Sequence, residues 1–147
     1  MQVTTTGTAG IGKASIHLLS KHHPEHIFFS GRNVQSARSL IEEVKAQVPD
    51  VQLTFIECDL ASLQSVKKAA QEFLSLSSRL DILMCNAGVM ALPPGLTKDG
   101  YEIQFGTNHL GHALLIRLLL PTLLRTAETG SDTRIINLSS QGHAGHP

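Results

Sequence analysis

Thr5-Thr6-Gly7-Thr8-Ala9-Gly10-Ile11-Gly12 is the stretch from which the rest of the chain can be read. It follows the strand-like run Val3 to Thr5 and opens a helix expected from Gly10 to about Lys21, closed by a turn at Pro24. Glycines at this spacing between a strand and a helix let the backbone approach a pyrophosphate, which the positive end of the helix then stabilises. Gly7-x-x-x-x-Gly12-Lys13 also comes near to a phosphate-binding loop of the NTPase type, but Ala14 stands where that loop needs a hydroxyl for Mg²⁺. A dinucleotide is the better fit. About twenty residues on, an acidic side chain would bind a ribose 2′-hydroxyl, yet the segment reads Ser30-Gly31-Arg32-Asn33. Arg32 can grip a 2′-phosphate that a carboxylate would repel, so the expected cofactor is NADP(H).

Working outward, short apolar runs alternate with amphipathic stretches. Ile27 to Ser30 reads as a second strand, and Asn33 caps a helix whose Val34, Ala37, Leu40, Ile41, Val44 and Val48 recur at three- and four-residue spacing until Pro49. Val51, Leu53 and Phe55 alternate in a third strand, and Ser62 to Leu76 makes a helix burying Leu63, Val66, Ala70 and Phe73. Leu80 to Cys85 is the fourth strand, Gly88 to Gly95 a loop, Asp99 to Leu124 a long helix, and Arg134 to Leu138 the fifth strand. The order βαβαβαβαβ predicts the α/β class: a doubly wound parallel sheet of Rossmann type with right-handed crossovers, covered on both faces. No repeat or linker interrupts residues 1–147, so one NADP-binding domain is expected.

Composition narrows the function classes. Twelve basic residues balance twelve acidic ones with no run of like charge, which argues against a nucleic-acid groove or an anionic membrane surface. Cys58 and Cys85 each end a predicted strand without Cys-x-x-Cys spacing, so they read as buried free thiols of a reducing compartment. The apolar stretch Leu110 to Leu124 is broken by His112, Arg117 and Pro121, and no leader precedes the first strand, so a cytoplasmic protein without a membrane span is expected. Eight histidines include His109 and His112 one turn apart and His22, His23 and His26 near a helix end, where capping and surface roles are expected and no metal site.

Six landmarks stand in one order: Thr5-x-x-x-x-Gly10-Ile11-Gly12, Gly31-Arg32-Asn33, Asp59-Leu60, Asn86-Ala87-Gly88, Thr107-Asn108-His109-Leu110-Gly111-His112 and Asn137-Leu138-Ser139-Ser140. Together they resemble the short-chain dehydrogenase/reductase family, in particular its retinol-dehydrogenase-like and WW-domain-oxidoreductase-like branch. The resemblance implies that Gly7, Gly10, Ile11 and Gly12 face the pyrophosphate and nicotinamide side. It implies further that Arg32 takes the 2′-phosphate, that Asp59 and Leu60 flank the adenine, and that Asn86, Ala87 and Gly88 close over the ribose while bracing the sheet. Arg117 occupies a helix position that some members count with the cofactor site.

In the implied catalytic group, Asn108 distorts its helix and holds a water in a proton relay, Ser140 hydrogen-bonds the substrate oxygen, and Ser139 is the second candidate. The family's Tyr-x-x-x-Lys pair does not follow Ser140: the one tyrosine is Tyr101, upstream, and no lysine comes after Lys98. His143 and His146 are in principle substitute proton donors, although a frayed terminal segment explains them as well. Thr6 stands where the family has its first loop glycine, with Gly7 next to it to absorb part of the turn. The expectation is an NADP(H)-dependent oxidoreductase interconverting a carbonyl and an alcohol on a small, lipid-like or secondary-metabolite substrate. The chain is expected to have lost the C-terminal third of the fold, which leaves the fifth strand as an open edge, and to be a possible homodimer. The alternative is a catalytically inactive protein that binds the cofactor or a partner protein.

Overall fold

The computed structural model describes residues 2–141, with residues 2–6 as backbone only; His143 and His146 lie outside the described residues. Five parallel strands, β1 (Gln2–Thr6), β2 (His26–Gly31), β3 (Leu53–Glu57), β4 (Ile82–Cys85) and β5 (Arg134–Asn137), form one sheet in the order β3-β2-β1-β4-β5. The helices are α1 (Gly10–Ser20), α2 (Val34–Gln47), α3 (Leu63–Leu76) and α4 (Ile103–Glu128). The chain runs outward from β1 to β3, then returns to the other side of β1 with β4. The carboxyl ends of β1 and β4 therefore bound a topological switch point, where open α/β sheets place their ligands.

Strand β2 shows why its middle, Ile27-Phe28-Phe29, is a continuous apolar run. Ile27 and Phe29 are buried with Ile16, Ala37, Leu40 and Val44 of α1 and α2. Phe28 points to the opposite face, into a core with Val66, Ala70 and Phe73 of α3 and Leu115, Leu119 and Leu123 of α4. Its ring meets that of Phe73 edge-on, with centroids 4.9 Å apart. Covered on both faces, such a strand needs apolar residues at every position rather than alternation.

The long helix departs from the sequence expectation at both ends. It starts at Ile103, not Asp99, because Lys98-Asp99-Gly100 makes a turn in which Gly100 takes a φ of +83°. Glu102 then caps the helix, its carboxylate accepting from the amides of Gln104 and Phe105 at 2.9 and 2.6 Å. The helix continues past Pro121 to Glu128. Near its end, Thr126 Oγ1 accepts from the Leu80 amide at 3.0 Å and donates to the Thr122 carbonyl at 2.9 Å, which ties α4 to the entry of β4. By length and composition α4 is apolar enough to cross a membrane. Leu115, Leu119 and Leu123 are nonetheless buried against α3 and the sheet, as in the core helix of a globular domain.

Gly111 sets how closely α4 approaches the loop after β3. A Cβ built there would lie 2.6 Å from the Leu60 carbonyl oxygen and 3.1 Å from Leu60 Cβ, so only glycine fits without a shift. At the other side of the sheet, β5 pairs with β4 alone among the described residues, and Ile135 and Ile136 on its two faces are both exposed. No helix among the described residues covers either face of that edge.

Candidate functional site

A cleft of about 500 Å³ opens at the carboxyl ends of β1 to β4. Its floor is the turn after β1. Strand β1 runs through Thr6, paired with Ser30, and the left-handed residue is Gly7 with φ +120°, so the turn begins one residue later than the family glycine would place it. The Gly7 amide donates to the Ser30 carbonyl at 2.8 Å, and a Cβ on Gly7 would meet Asn86 Nδ2 at 3.0 Å and Gly12 Cα at 3.5 Å. Gly10 also has positive φ, +54°. The glycines thus serve different ends: Gly7 and Gly10 supply conformation, and Gly12, buried beneath the turn, supplies close packing.

The start of α1 differs from that of its neighbours. Asn33 caps α2 by accepting from the Ser36 amide at 2.9 Å, and Ser62 caps α3 by accepting from the Ser65 amide at 3.3 Å. Ala9 precedes α1 and offers no side-chain cap, and the first turn holds no acidic residue. Orphan amides and the positive helix end therefore face the cleft through Gly10 and Ile11, the latter 67% exposed, which is an arrangement suited to an anion. Arg32 lies at the cleft's edge just beyond β2, exposed, and no carboxylate among the described residues pairs with it.

Across the cleft, Asp59, Leu60 and Ala61 form the wall after β3, and Asn86, Ala87, Gly88 and Val89 the wall after β4. Asp59 Oδ1 accepts from the Ala61 amide at 3.1 Å, and Oδ2 pairs with Lys98 Nζ at 3.0 Å. Cys58 lines the same wall. Burial, reinforced by the Asp59 carboxylate, pushes its thiol up to about 11, and burial pushes Cys85 to about 11 as well. Both free thiols stay protonated near neutrality and are poor nucleophiles.

Asn108 sits in a single π-helical turn of α4, Gly106–Leu110. Its side chain binds the Val89 backbone twice, Oδ1 accepting from the amide at 2.8 Å and Nδ2 donating to the carbonyl at 2.7 Å. The wall after β4 is thereby clamped to α4 in the way an adjacent strand would hold it. His112, one turn on, is buried, and its Nδ1–H donates to the Asn108 carbonyl at 2.9 Å. The remaining ring nitrogen, Nε2, is buried with no hydrogen-bond partner among the described residues.

That arrangement favours the neutral ring, and burial holds the His112 pKa below its ordinary value of 6.5. With the folded pKa depressed, the unfolded chain binds more protons below that ordinary value. Stability is thus full above about pH 6.5 and falls as the pH drops through the folded pKa. Urea unfolding of the wild type is expected to show this decline between pH 7.5 and 5.5, with the contribution from His112 bounded at about 1.4 kcal/mol per pH unit for one proton. His112→Leu should flatten the profile; an unchanged slope would mean that other groups carry it, His26 being one whose pKa burial also lowers.

Of the residues singled out in the sequence, Gly7, Gly10, Ile11, Arg32, Asp59, Leu60, Asn86, Ala87 and Gly88 come together around the cleft. Gly12 packs beneath it, and Arg117 lies exposed along α4 outside its lining. Ser139 and Ser140 follow β5 at the same end of the sheet, exposed, just beyond the Leu138 amide that donates to the Cys85 carbonyl at 3.1 Å. Tyr101 belongs to the turn before α4 rather than to the helix, its amide bonded to Thr97 Oγ1 at 3.1 Å. His109 stacks on Phe105, and no group of three His, Cys, Asp or Glu among the described residues is arranged to hold a metal. The cleft also takes in Val89, Leu92, Ile103 and Thr107, which sequence reasoning did not assign. For Val89 the signal was its place next to a quoted motif, and for Thr107 its place within one; Leu92 and Ile103 offered none.

A family model described as short chain dehydrogenase matches residues 2–146. Polyprenol dehydrogenase of Homo sapiens is 36% identical over 141 residues, covering 96% of this chain and 42% of its own length. Short-chain dehydrogenase TIC 32 A, chloroplastic, of Brassica napus is 39% identical over 142 residues, covering 96% of this chain and 44% of its own. Among solved structures, the Pseudomonas aeruginosa RhlG/NADP active-site complex is 30% identical, with a TM-score of 0.78 over 95% of this chain and 54% of that chain. The chain thus spans less than half the length of these two curated relatives.

Proposed function

The chain belongs to the short-chain dehydrogenase family, and from that premise we propose that it carries the NADP(H) site of an oxidoreductase interconverting a carbonyl and an alcohol. The observation that carries this reading is the uncapped start of α1 beneath the Gly7 turn, with Arg32 at the same cleft and no carboxylate among the described residues paired with it. The residues present fit the cofactor. The amides at the start of α1 suit its pyrophosphate, the Arg32 guanidinium a 2′-phosphate, and the walls at Asp59–Ala61 and Asn86–Val89 its adenosine half. When bound, its nicotinamide ring would donate or accept the hydride.

The protein's own groups then orient the substrate. The Ser140 hydroxyl, at the carboxyl end of β5, would hydrogen-bond the reacting oxygen, and Asn108 would keep the wall at Val89 in place through its paired bonds. An apolar substrate fits the approach. Met90, Leu92 and Leu96 are 80%, 42% and 70% exposed on the loop before α4, and Leu92 lines both the cleft and the adjoining groove. A second reading, which the turnover assay below separates from the first, is cofactor binding without turnover.

Titration of the purified chain with NADPH, followed by the dinucleotide's fluorescence, tests the proposal. Saturable binding is expected, tighter for NADPH than for NADH, and absence of binding by either would overturn it. Turnover on long-chain ketones, aldehydes and alcohols, lost in Ser140→Ala, would favour the enzyme over the non-catalytic binder.

A further inference from the structure

Residues 95 to 103 form a hairpin-like turn whose tip is built into the wall of the cleft. Within it the Thr97 amide donates to the Tyr101 carbonyl at 2.8 Å and the Ile103 amide to the Gly95 carbonyl at 2.9 Å, while the Thr97 side chain is buried. At the tip, the Lys98 amide donates to the Ala61 carbonyl at 3.0 Å, and Asp99 Oδ2 accepts from the Leu63 amide at 2.7 Å. One bond from the Lys98 backbone and one to the Asp99 side chain thus fix the tip against residues 59–63 before any ion pair is considered. From that anchored position the Lys98 ammonium reaches Asp59 Oδ2 at 3.0 Å.

We infer that Lys98 is a positioning residue that sets cofactor affinity without touching the cofactor, by neutralising and orienting the Asp59 carboxylate in the cleft wall. This rests on the NADP(H) reading above. As a stabilising pair the contact counts for little, because Lys98 is 70% exposed and surface ion pairs are weak. Its consequence for a polyanion is larger. An unneutralised carboxylate in the wall repels a dinucleotide bearing several negative charges, at separations comparable with the Debye length of about 10 Å at 0.1 M salt. Lys98 also restrains the side chain whose other oxygen holds the Ala61 amide, so the wall keeps one shape.

The test is NADPH titration of the wild type, Lys98→Met and Lys98→Arg in low salt and in 0.5 M NaCl. Lys98→Met is expected to raise Kd about three- to tenfold in low salt, with the ratio to wild type shrinking towards one in high salt. Lys98→Arg should stay within about twofold of wild type, since the charge is kept. The main-chain bond to Ala61 survives both substitutions, so thermal midpoints should match. Equal binding by Lys98→Met and wild type in low salt would overturn the inference, as would a loss undiminished by salt. A wild-type chain that binds no NADPH would overturn the cofactor reading, and this inference with it.

Discussion

Gly111→Val is expected to lower the free energy of unfolding by about 3 kcal/mol or more, as overpacking against immovable backbone does. A Cβ alone at this position reaches to 2.6 Å of the Leu60 carbonyl oxygen, well inside van der Waals contact. The carbonyl has little room to retreat. On one side the Cys58 amide is bonded to the Gly31 carbonyl at 2.9 Å, and on the other the Ala61 carbonyl accepts from Lys98 at 3.0 Å. Either α4 lifts away, opening the core around Leu115 and Leu119, or the Asp59–Ala61 wall moves and the cleft deforms. Gly111→Ala should cost roughly half as much, and Ala113→Val, exposed on the same helix, should stay within about 0.5 kcal/mol of wild type. Urea midpoints measure all three. A Gly111→Val protein as stable as wild type would mean that α4 does not approach the β3–α3 loop as described.

Arg32→Glu is expected to weaken NADPH binding about 100-fold while changing NADH binding by less than about threefold, a difference near 3 kcal/mol. The residue lines the cleft just beyond β2, has no carboxylate partner among the described residues, and is exposed, so its replacement disturbs no internal contact. Thermal stability should therefore be unchanged, which separates a cofactor effect from a folding effect. Loss of a charge-assisted grip and gain of repulsion both act on the 2′-phosphate, a group that NADH lacks. Equal weakening of both dinucleotides would remove Arg32 from the 2′-phosphate role and return the preference to an open question of cleft shape.

Much of this architecture was readable from local pattern. The continuous apolar run of β2 and the three- and four-residue spacing of α2 and α3 each match the element that forms, because the period of burial is a property of the element itself. The glycine turn and Arg32 were equally legible, since conformational freedom and fixed charge belong to single residues. The start of α4 was not. The helix was expected to begin at Asp99, but the Asp99 carboxylate serves the amide of Leu63, 36 residues earlier, and the cap of α4 is Glu102. Local scoring cannot see a partner supplied by another loop.

By itself, then, the sequence determined the order and type of the elements, the doubly wound sheet and the presence of a glycine turn at the start of α1, all of which follow from residue periodicity and backbone preference over a few positions. Tertiary structure alone decided that Gly111 must remain bare against Leu60, that Asn108 spends its amide on Val89 through a π-helical turn, and that the buried His112 ring is bound to the Asn108 carbonyl. It alone brought Lys98 to Asp59. These contacts join residues 4 to 51 positions apart, and their energy depends on distances set only when helix and sheet close on one another, where a few tenths of an ångström separate contact from clash.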